Sequence, residues 1–265
     1  MAIKRSQNPK RRNSTAKPPR RGTGKGVVSN HIRHSLYGVH SVLEACANSH
    51  RKLKKLYVTR NMMKQHAAIL EKAGCPMEIC EPGRISELAP PGAVHQGILA
   101  DAAPLPAMAV EDIAAGGIVV VLDQITDPHN VGAILRSSAA FAASAVVITA
   151  RNSPEAGGVL AKAASGALEH VPLVEAVNLA RAIETLQGNG FTCIGFDSAA
   201  EFVLEDAPVR APVALVMGAE GKGLRRLTRE KCDILARLDM PGKIKSLNVS
   251  NAAALALYAT RKLVE

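Results

Sequence analysis

The chain has 265 residues, enough for a catalytic domain, a smaller companion domain and a tail. Its hydrophobic fraction of 47% comes mainly from aliphatic residues, with no Trp, three Tyr and four Phe, which suits buried α/β layers better than an aromatic stacking surface. The net charge of +10 lies entirely in residues 1–35, which contain ten Lys and Arg and no acidic residue. The composition excludes a zinc-ribbon, a disulfide scaffold and a membrane-spanning protein, because the five cysteines form no metal-binding spacing and no apolar stretch reaches roughly 18–20 residues.

Residues 1–34 form a basic segment that we expect to be disordered, since it has too few apolar side chains to offset the entropy of ordering. Such an arm would bind a phosphate backbone by counterion release, without sequence preference. A solubilising tail is an alternative. A transit peptide is another, although the segment lacks the apolar stripe of an amphipathic helix, and no apolar core of a signal peptide is present. We therefore expect a reduced, cytoplasmic protein without metal.

Residues 35–101 have the pattern of a small α/β unit. Apolar periodicity predicts helices at 39–46 and 62–73 and strands at 55–59, 77–80 and 97–100. Residues 102–115, with Pro104 and Pro106, interrupt this pattern and are predicted to be a linker.

Residues 116–265 are predicted to form the second domain. Strands that are apolar on both faces alternate with helices, which indicates a parallel sheet covered on two sides. The predicted strands are 118–122, 145–149, 192–196, 213–217 and 234–238. The predicted helices are 128–142, 159–167, 179–186 and 249–262.

The first motif, residues 122–136 (LDQITDPHNVGAILR), passes from a strand into a helix. Asp127 suits the N-cap and Pro128 the first helical position. Helical spacing predicts a buried stripe of Val131, Ile134, Leu135, Ser138 and Ala142. Arg136 projects off this stripe, and Asn130 would lie beside free backbone amides that favour an anion. A solvated surface charge is the alternative interpretation of Arg136.

The second motif, residues 215–224 (LVMGAEGKGL), is a strand that ends in a glycine-rich loop. Glycines let the backbone approach a ligand closely. A phosphate-binding loop needs a hydroxyl at the position of Gly223, and Glu220 would repel a pyrophosphate. The loop therefore suits a ligand without phosphates, or is a tight turn with a surface glutamate.

The third motif, residues 238–251 (LDMPGKIKSLNVSN), is a loop that enters the last helix. Ser246 and Asn248 could each cap this helix. Because capping explains one of these residues and not both, the pair is a candidate for function.

Together, the three segments resemble the motifs of the SpoU (TrmH-like) branch of the SPOUT RNA methyltransferases, in the same order. Residues 36–40 (LYGVH) and 94–97 (VHQG) also resemble the bacterial enzymes that methylate a guanosine of 23S ribosomal RNA. The chain departs from the family at Asp239, where a proline is usual, and at Ala142, where a glycine is expected.

The resemblance implies a parallel α/β methyltransferase domain with a C-terminal trefoil knot, preceded by a small RNA-binding domain. It also implies a homodimer that uses S-adenosylmethionine as cofactor and RNA as substrate. By motif match the cofactor would lie against Gly218, Leu238, Met240 and Leu247. The family's functional polar residues match Arg136, Asn130, Glu220, Ser246 and Asn248.

The implied reaction methylates a ribose 2′-oxygen, whose proton must leave as the oxygen attacks. The family proposal makes Arg136 the proton acceptor, yet a guanidinium is normally charged up to about pH 12 or higher. An easier role for Arg136 is to hold a phosphate and stabilise the developing alkoxide, with the proton passing to water or a phosphate oxygen. Asn130 and Glu220 would orient Arg136, while Ser246 and Asn248 would position substrate or cofactor.

Other functions fit the chain less well. A transfer-RNA guanosine methyltransferase has the same motifs and is the main alternative to the 23S enzyme. A non-catalytic RNA-binding assembly factor is disfavoured because the polar residues of all three motifs are intact. An oxidoreductase or phosphotransferase that uses a nucleotide is disfavoured by the missing phosphate-binding signals.

Overall fold

The structure is a computed structural model that describes residues 32, 34–151 and 157–264. The segment expected to be disordered, residues 1–34, lies outside the described residues except for Ile32 and His34. None of the helices described is long and apolar enough to cross a bilayer.

A four-stranded sheet comes first along the chain. Its strands are β1 (Ser35–Tyr37), β2 (Leu53–Val58), β3 (Met77–Ile79) and β4 (Ile98–Ala102), in the order β1-β4-β2-β3. Strand β4 is antiparallel to β1 and β2, whereas β2 and β3 are parallel. The helices described here are α1 (Val39–Ala47), α2 (Arg60–Lys72) and α3 (Pro82–Leu88). The predicted elements agree to within two residues, and the prediction missed β1 and α3, which are too short for a clear periodicity.

A seven-stranded sheet follows, and every strand pair in it is parallel. Its order is β7-β6-β5-β10-β8-β11-β9. The strands are β5 (Ile118–Asp123), β6 (Ala145–Thr149), β7 (Leu173–Ala176), β8 (Thr192–Phe196), β9 (Phe202–Val203), β10 (Val213–Gly218) and β11 (Ile234–Arg237). All six residues of β5 are buried, and alternate side chains of this strand enter two separate apolar clusters, one on each face. This is the parallel sheet covered on two sides that the apolar strands predict.

Five helices described by the structure cover the two faces of this sheet. They are α4 (Pro128–Ala140), α5 (Gly158–Ala164), α6 (Leu179–Gly188), α7 (Arg226–Lys231) and α8 (Val249–Val264). Helices α4, α5 and α8 contribute to one apolar cluster, and α6 to the other. Strands β7 and β9 and helix α7 were not predicted.

Two helices end earlier than predicted because the backbone turns left-handed. Helix α4 ends at Ala140, and Ala142 has a φ of 52°. Ala142 is therefore exposed, and its assignment to the buried stripe is wrong. Helix α5 ends at Ala164, since Ser165 and Gly166 have φ angles of 51° and 93°. A right-handed helix cannot continue through residues in this region.

Buried polar contacts join the small sheet to the large one. The Arg51 guanidinium donates to both carboxylate oxygens of Glu169 through Nε, at 3.1 and 3.0 Å, and from Nη2 at 2.6 Å. Asn48 Nδ2 donates to the same carboxylate at 2.8 Å. The side chains of Arg51 and Glu169 are only 6% and 2% exposed. The described residues thereby form one compact unit.

Candidate functional site

The start of α4 carries the polar residues of the first motif. The Asp127 side chain accepts a hydrogen bond from His129 N at 2.9 Å, and Pro128 occupies the first turn, which confirms the predicted cap. The helix begins just after β5 and therefore lies at the carboxyl edge of the parallel sheet. The stripe residues Val131, Ile134, Leu135 and Ser138 are buried, and Arg136 is exposed.

The loop after β10 folds back on itself beside that edge. Gly223 N donates to Ala219 O at 2.8 Å, and these two residues form an isolated β-bridge. A Cβ on Gly218 would lie 2.2 Å from the carbonyl carbon of Gly223, so no side chain fits at Gly218. This close approach of two backbone segments requires glycine. It leaves Glu220 exposed at the tip of the second motif.

The loop between β11 and α8 carries the third motif. Asn248 Oδ1 accepts from Ser250 N at 2.9 Å and from Ser250 Oγ at 2.5 Å, so Asn248 caps α8. Ser246 is exposed and Leu247 is 40% exposed. Leu238 and Met240 are half-buried.

The three motifs meet at Asn248. Its Nδ2 donates to Asn130 Oδ1 at 3.0 Å and to Glu220 Oε1 at 2.7 Å. The same Glu220 oxygen accepts from Val249 N at 3.0 Å, at the start of α8. Asn130 and Asn248 are 118 positions apart in the chain, and the Asn248 amide uses both of its hydrogens to bind Asn130 and Glu220.

Arg136 lies outside this hydrogen-bonded group. Within the described part of the chain it makes no hydrogen bond or ion pair, so the expected contacts with Asn130 and Glu220 are absent here. The reason is helical geometry: residues six apart are separated by about 120° around the axis and by about 9 Å along it. Arg136 presents its guanidinium to solvent instead.

Asp123 and Arg225 form a polar pair that sequence reasoning did not select. Asp123 ends β5 and is 0% exposed. Arg225 donates to its carboxylate from Nε at 2.6 Å and from the backbone N at 2.9 Å. An acidic residue at the end of an otherwise apolar strand is the signal that could have identified this pair, since buried carboxylates need a partner.

The cysteines near the large sheet are not activated. Burial raises the pKa of Cys193 and of Cys232 to about 12 each, with the Asp233 carboxylate adding to the effect. Both thiols are therefore protonated at neutral pH and are poor nucleophiles. In the described ranges no three His, Cys, Asp or Glu side chains are grouped as a metal site would require.

Two families of known proteins match this chain. The SpoU rRNA Methylase family matches residues 117–258, and the RNA 2′-O ribose methyltransferase substrate binding family matches residues 35–108. A 23S rRNA (guanosine-2′-O-)-methyltransferase, RlmB of Pseudomonas aeruginosa, is 36% identical over 234 residues, which cover 84% of this chain and 94% of that protein. An uncharacterized tRNA/rRNA methyltransferase of Synechocystis is also 36% identical, over 235 residues that cover 84% of this chain and 61% of the longer relative.

Among solved structures, the SpoU methyltransferase AviRb of Streptomyces viridochromogenes, crystallised with the cofactor AdoMet, has a TM-score of 0.76. It is 22% identical, and the match covers 88% of this chain and 90% of AviRb, which establishes the shared fold. The two family matches span the small sheet and the large one, and the match to the large sheet contains all three motifs that meet at Asn248. The chain therefore belongs to the SpoU rRNA methylase family.

Proposed function

We propose that this protein methylates the ribose 2′-oxygen of a guanosine in 23S ribosomal RNA, with S-adenosylmethionine as methyl donor. The observation that carries the proposal is the hydrogen-bonded group of Asn130, Glu220 and Asn248, which joins three motifs at the carboxyl edge of a parallel sheet. Ligands of open α/β sheets bind outside this edge. A 23S substrate favours a cytoplasmic location.

The residues at this edge fit S-adenosylmethionine, which has no phosphate. The folded-back loop around Gly218 leaves no phosphate cradle, and its exposed charged side chains are Glu220 and Lys222, one of each sign. Ile244 and Leu247, on the neighbouring loop, are 78% and 40% exposed and offer apolar surface for an adenine ring. We therefore assign Gly218, Leu238, Met240 and Leu247 to cofactor binding; the bound cofactor supplies an activated methyl group. The trefoil knot in this region stays a prediction.

The protein's own task is to hold the ribose in line and to assist loss of its proton. Positioning alone can contribute roughly 7–11 kcal/mol to such a reaction. The group around Asn248 is rigid, because its amide and the Glu220 carboxylate are each held by two hydrogen bonds. We assign Asn130, Glu220 and Asn248 to holding the loops at this edge of the sheet in position. We assign the exposed Ser246 to contact with substrate or cofactor.

Arg136 is assigned to the RNA itself. Its exposed guanidinium has no partner among the residues described, so its donors are available to a phosphate and to the developing alkoxide. The proton then passes to water or to a phosphate oxygen.

We also propose that the protein is a homodimer through the outer face of α8. Leu255, Tyr258 and Leu263 are 50%, 54% and 40% exposed on this helix. Tyr258 packs against Phe141, beyond the end of α4, with ring centroids 6.0 Å apart. Leu255 and Tyr258, three positions apart, lie on one side of the helix, and large apolar side chains grouped on a surface indicate an interface. Sedimentation equilibrium measures the mass, and a monomer at micromolar concentration would contradict the proposal.

The test of function is a map of 2′-O-methylation in the RNA of cells with and without this protein, followed by methyl transfer in vitro. We expect one guanosine of 23S RNA to lose its methyl group, and the purified protein to restore it in the presence of EDTA. Loss confined to transfer RNA would support the transfer-RNA alternative. Unchanged methylation, with intact binding of S-adenosylhomocysteine, would contradict an enzymatic role in methylating these RNAs.

A further inference from the structure

A cleft of about 1130 Å³ opens at the carboxyl edge of the large sheet. The loops after β5, β6, β7 and β10 contribute to its walls. The cations that line it are Arg151, Lys222, Arg225 and Arg226. Among its lining residues Glu220 is the one acid, so the cleft reaches the group of residues around Asn248.

This excess of positive charge is local. Beyond residue 35 the chain contains 23 basic and 23 acidic residues. Of the four cations in the cleft, Arg225 pairs with Asp123 and Arg226 with Glu230, while Arg151 and Lys222 line the cleft together with the single acid Glu220. The volume of about 1130 Å³ is near the upper end of the roughly 300–1,000 Å³ of a typical small-molecule pocket, so the cleft has room for nucleotides. Both properties suit a strand of several nucleotides.

Arg225 is pre-oriented toward this cleft. Its Nε and its backbone N are held by Asp123, which is fully buried, while the Arg225 side chain is 45% exposed. Its two terminal nitrogens have no hydrogen-bond partner among the described residues. Because Asp123 holds Nε, the two terminal nitrogens of Arg225 are free to donate parallel hydrogen bonds to two oxygens of a phosphate.

Lys222 and Arg226 also line the cleft, and their position there is not explained by the need to neutralise the buried Asp123. Lys222 is exposed. Arg226 has a side chain that is 78% exposed, and its partner is the surface residue Glu230, four positions along α7. Neither residue compensates a buried acid, yet both line the same cleft as Arg225.

We propose that this cleft binds the phosphate backbone of the RNA strand next to the target ribose, with Arg225 as a phosphate-binding residue positioned by Asp123. The inference rests on the proposed function, because it places the strand beside Glu220. It adds this cleft to Arg136, the small sheet and the basic segment as parts of the protein that contact RNA.

The test compares the double variant Lys222→Gln/Arg226→Gln with a matched control, Arg229→Gln. Arg229 lies on the same helix, pairs with Asp197 through Nε at 2.9 Å, has a side chain that is 47% exposed and does not line the cleft. The measurements are affinity for a 23S RNA fragment against salt concentration, steady-state methyl transfer, and binding of S-adenosylhomocysteine.

For the double variant we expect a higher KM for RNA and a log–log salt slope that is smaller by about 0.7 for each phosphate that the protein no longer neutralises. Its affinity for S-adenosylhomocysteine should be unchanged, and Arg229→Gln should match the wild type throughout. Arg225→Lys retains a charge beside Asp123 but not the two terminal nitrogens, so it should raise KM while the protein stays folded.

A double variant with wild-type KM and salt slope would overturn the inference, and so would an equal loss in Arg229→Gln. A wild-type protein that binds RNA through these residues but transfers no methyl group would instead contradict the proposed function and support the cleft.

Discussion

At the scale of single residues, Asn248 performs two roles with the two ends of its amide. Its oxygen caps α8, and its nitrogen joins Asn130 to Glu220. Removing a cap costs about 0.5–2 kcal/mol, so any loss of activity in Asn248→Ala mixes folding with catalysis. Arg136 is the clearer probe of chemistry because it is exposed and contributes nothing to the core.

We expect Arg136→Lys to be nearly inactive while its melting temperature and its affinity for S-adenosylhomocysteine remain those of the wild type. The planar guanidinium of arginine can donate to a phosphate and to a ribose oxygen at the same time, and the ammonium group of lysine cannot. Arg181→Lys, on the exposed side of α6, is the control and should keep full activity. Methyl transfer by Arg136→Lys near the normal rate would make Arg136 an ordinary surface charge.

Ala142 is a second informative residue, because it stands in the left-handed region where the family usually has glycine. This conformation costs an L-residue roughly 1–2 kcal/mol, whereas glycine adds about 0.5–1 kcal/mol of entropy cost on folding. We therefore expect Ala142→Gly to stabilise the protein by up to about 1 kcal/mol in urea unfolding. Ala133→Gly, in the interior of α4, should instead destabilise it, and equal effects would argue against the left-handed turn.

At the scale of elements, the segment 94–97 connects the two sheets. Gly97 has a φ of 82°, and a Cβ there would lie 2.7 Å from Thr59 Oγ1. Gln96 Oε1 accepts from Val39 N at 3.2 Å, and Lys162 Nζ of α5 donates to Val94 O. The resemblance of this segment to the family therefore has a structural explanation, because the segment forms a turn that connects α1, β4 and α5.

The buried Arg51–Glu169 pair also connects the small sheet to the large one, and its removal should have a large effect on stability. Glu169→Ala would leave the Arg51 guanidinium buried without its counter-charge, which typically costs about 3–5 kcal/mol. Urea unfolding should show this loss. The control is Glu78→Ala, which removes the half-exposed pair with Lys55 and should change stability little. Equal stability of Glu169→Ala and wild type would mean that the two sheets do not depend on this pair.

At the scale of the whole molecule, the net positive charge lies in the basic segment, and the cleft adds a local group of cations. Removing residues 1–33 should weaken RNA binding and lower the log–log salt slope by about 0.7–0.9 for each phosphate that the segment neutralises. Because the truncation also removes Ile32, which packs beside Leu88 and donates to Leu88 O at 3.0 Å, we expect a small drop in melting temperature. The cleft variants should still lower the remaining slope. An unchanged slope after truncation would show that the segment does not bind RNA.

The sequence by itself determined the α/β class, the parallel sheet and most element positions. Apolar periodicity reports burial directly, so the predictions for 145–149 and 192–196 match β6 and β8 residue for residue. Capping chemistry is equally local, and Asp127 was found for that reason. The three motifs, through their resemblance, also led to the family to which the chain belongs.

Only the tertiary structure decided which loops meet. The convergence of Asn130 and Glu220 on Asn248, and the pairing of Asp123 with Arg225 across 102 residues, depend on strand order, which periodicity does not encode. The two-residue strand β9 is too short to show alternation. Arg136 remained apart from the hydrogen-bonded group because helical rotation, and not spacing in the sequence, sets where its side chain points.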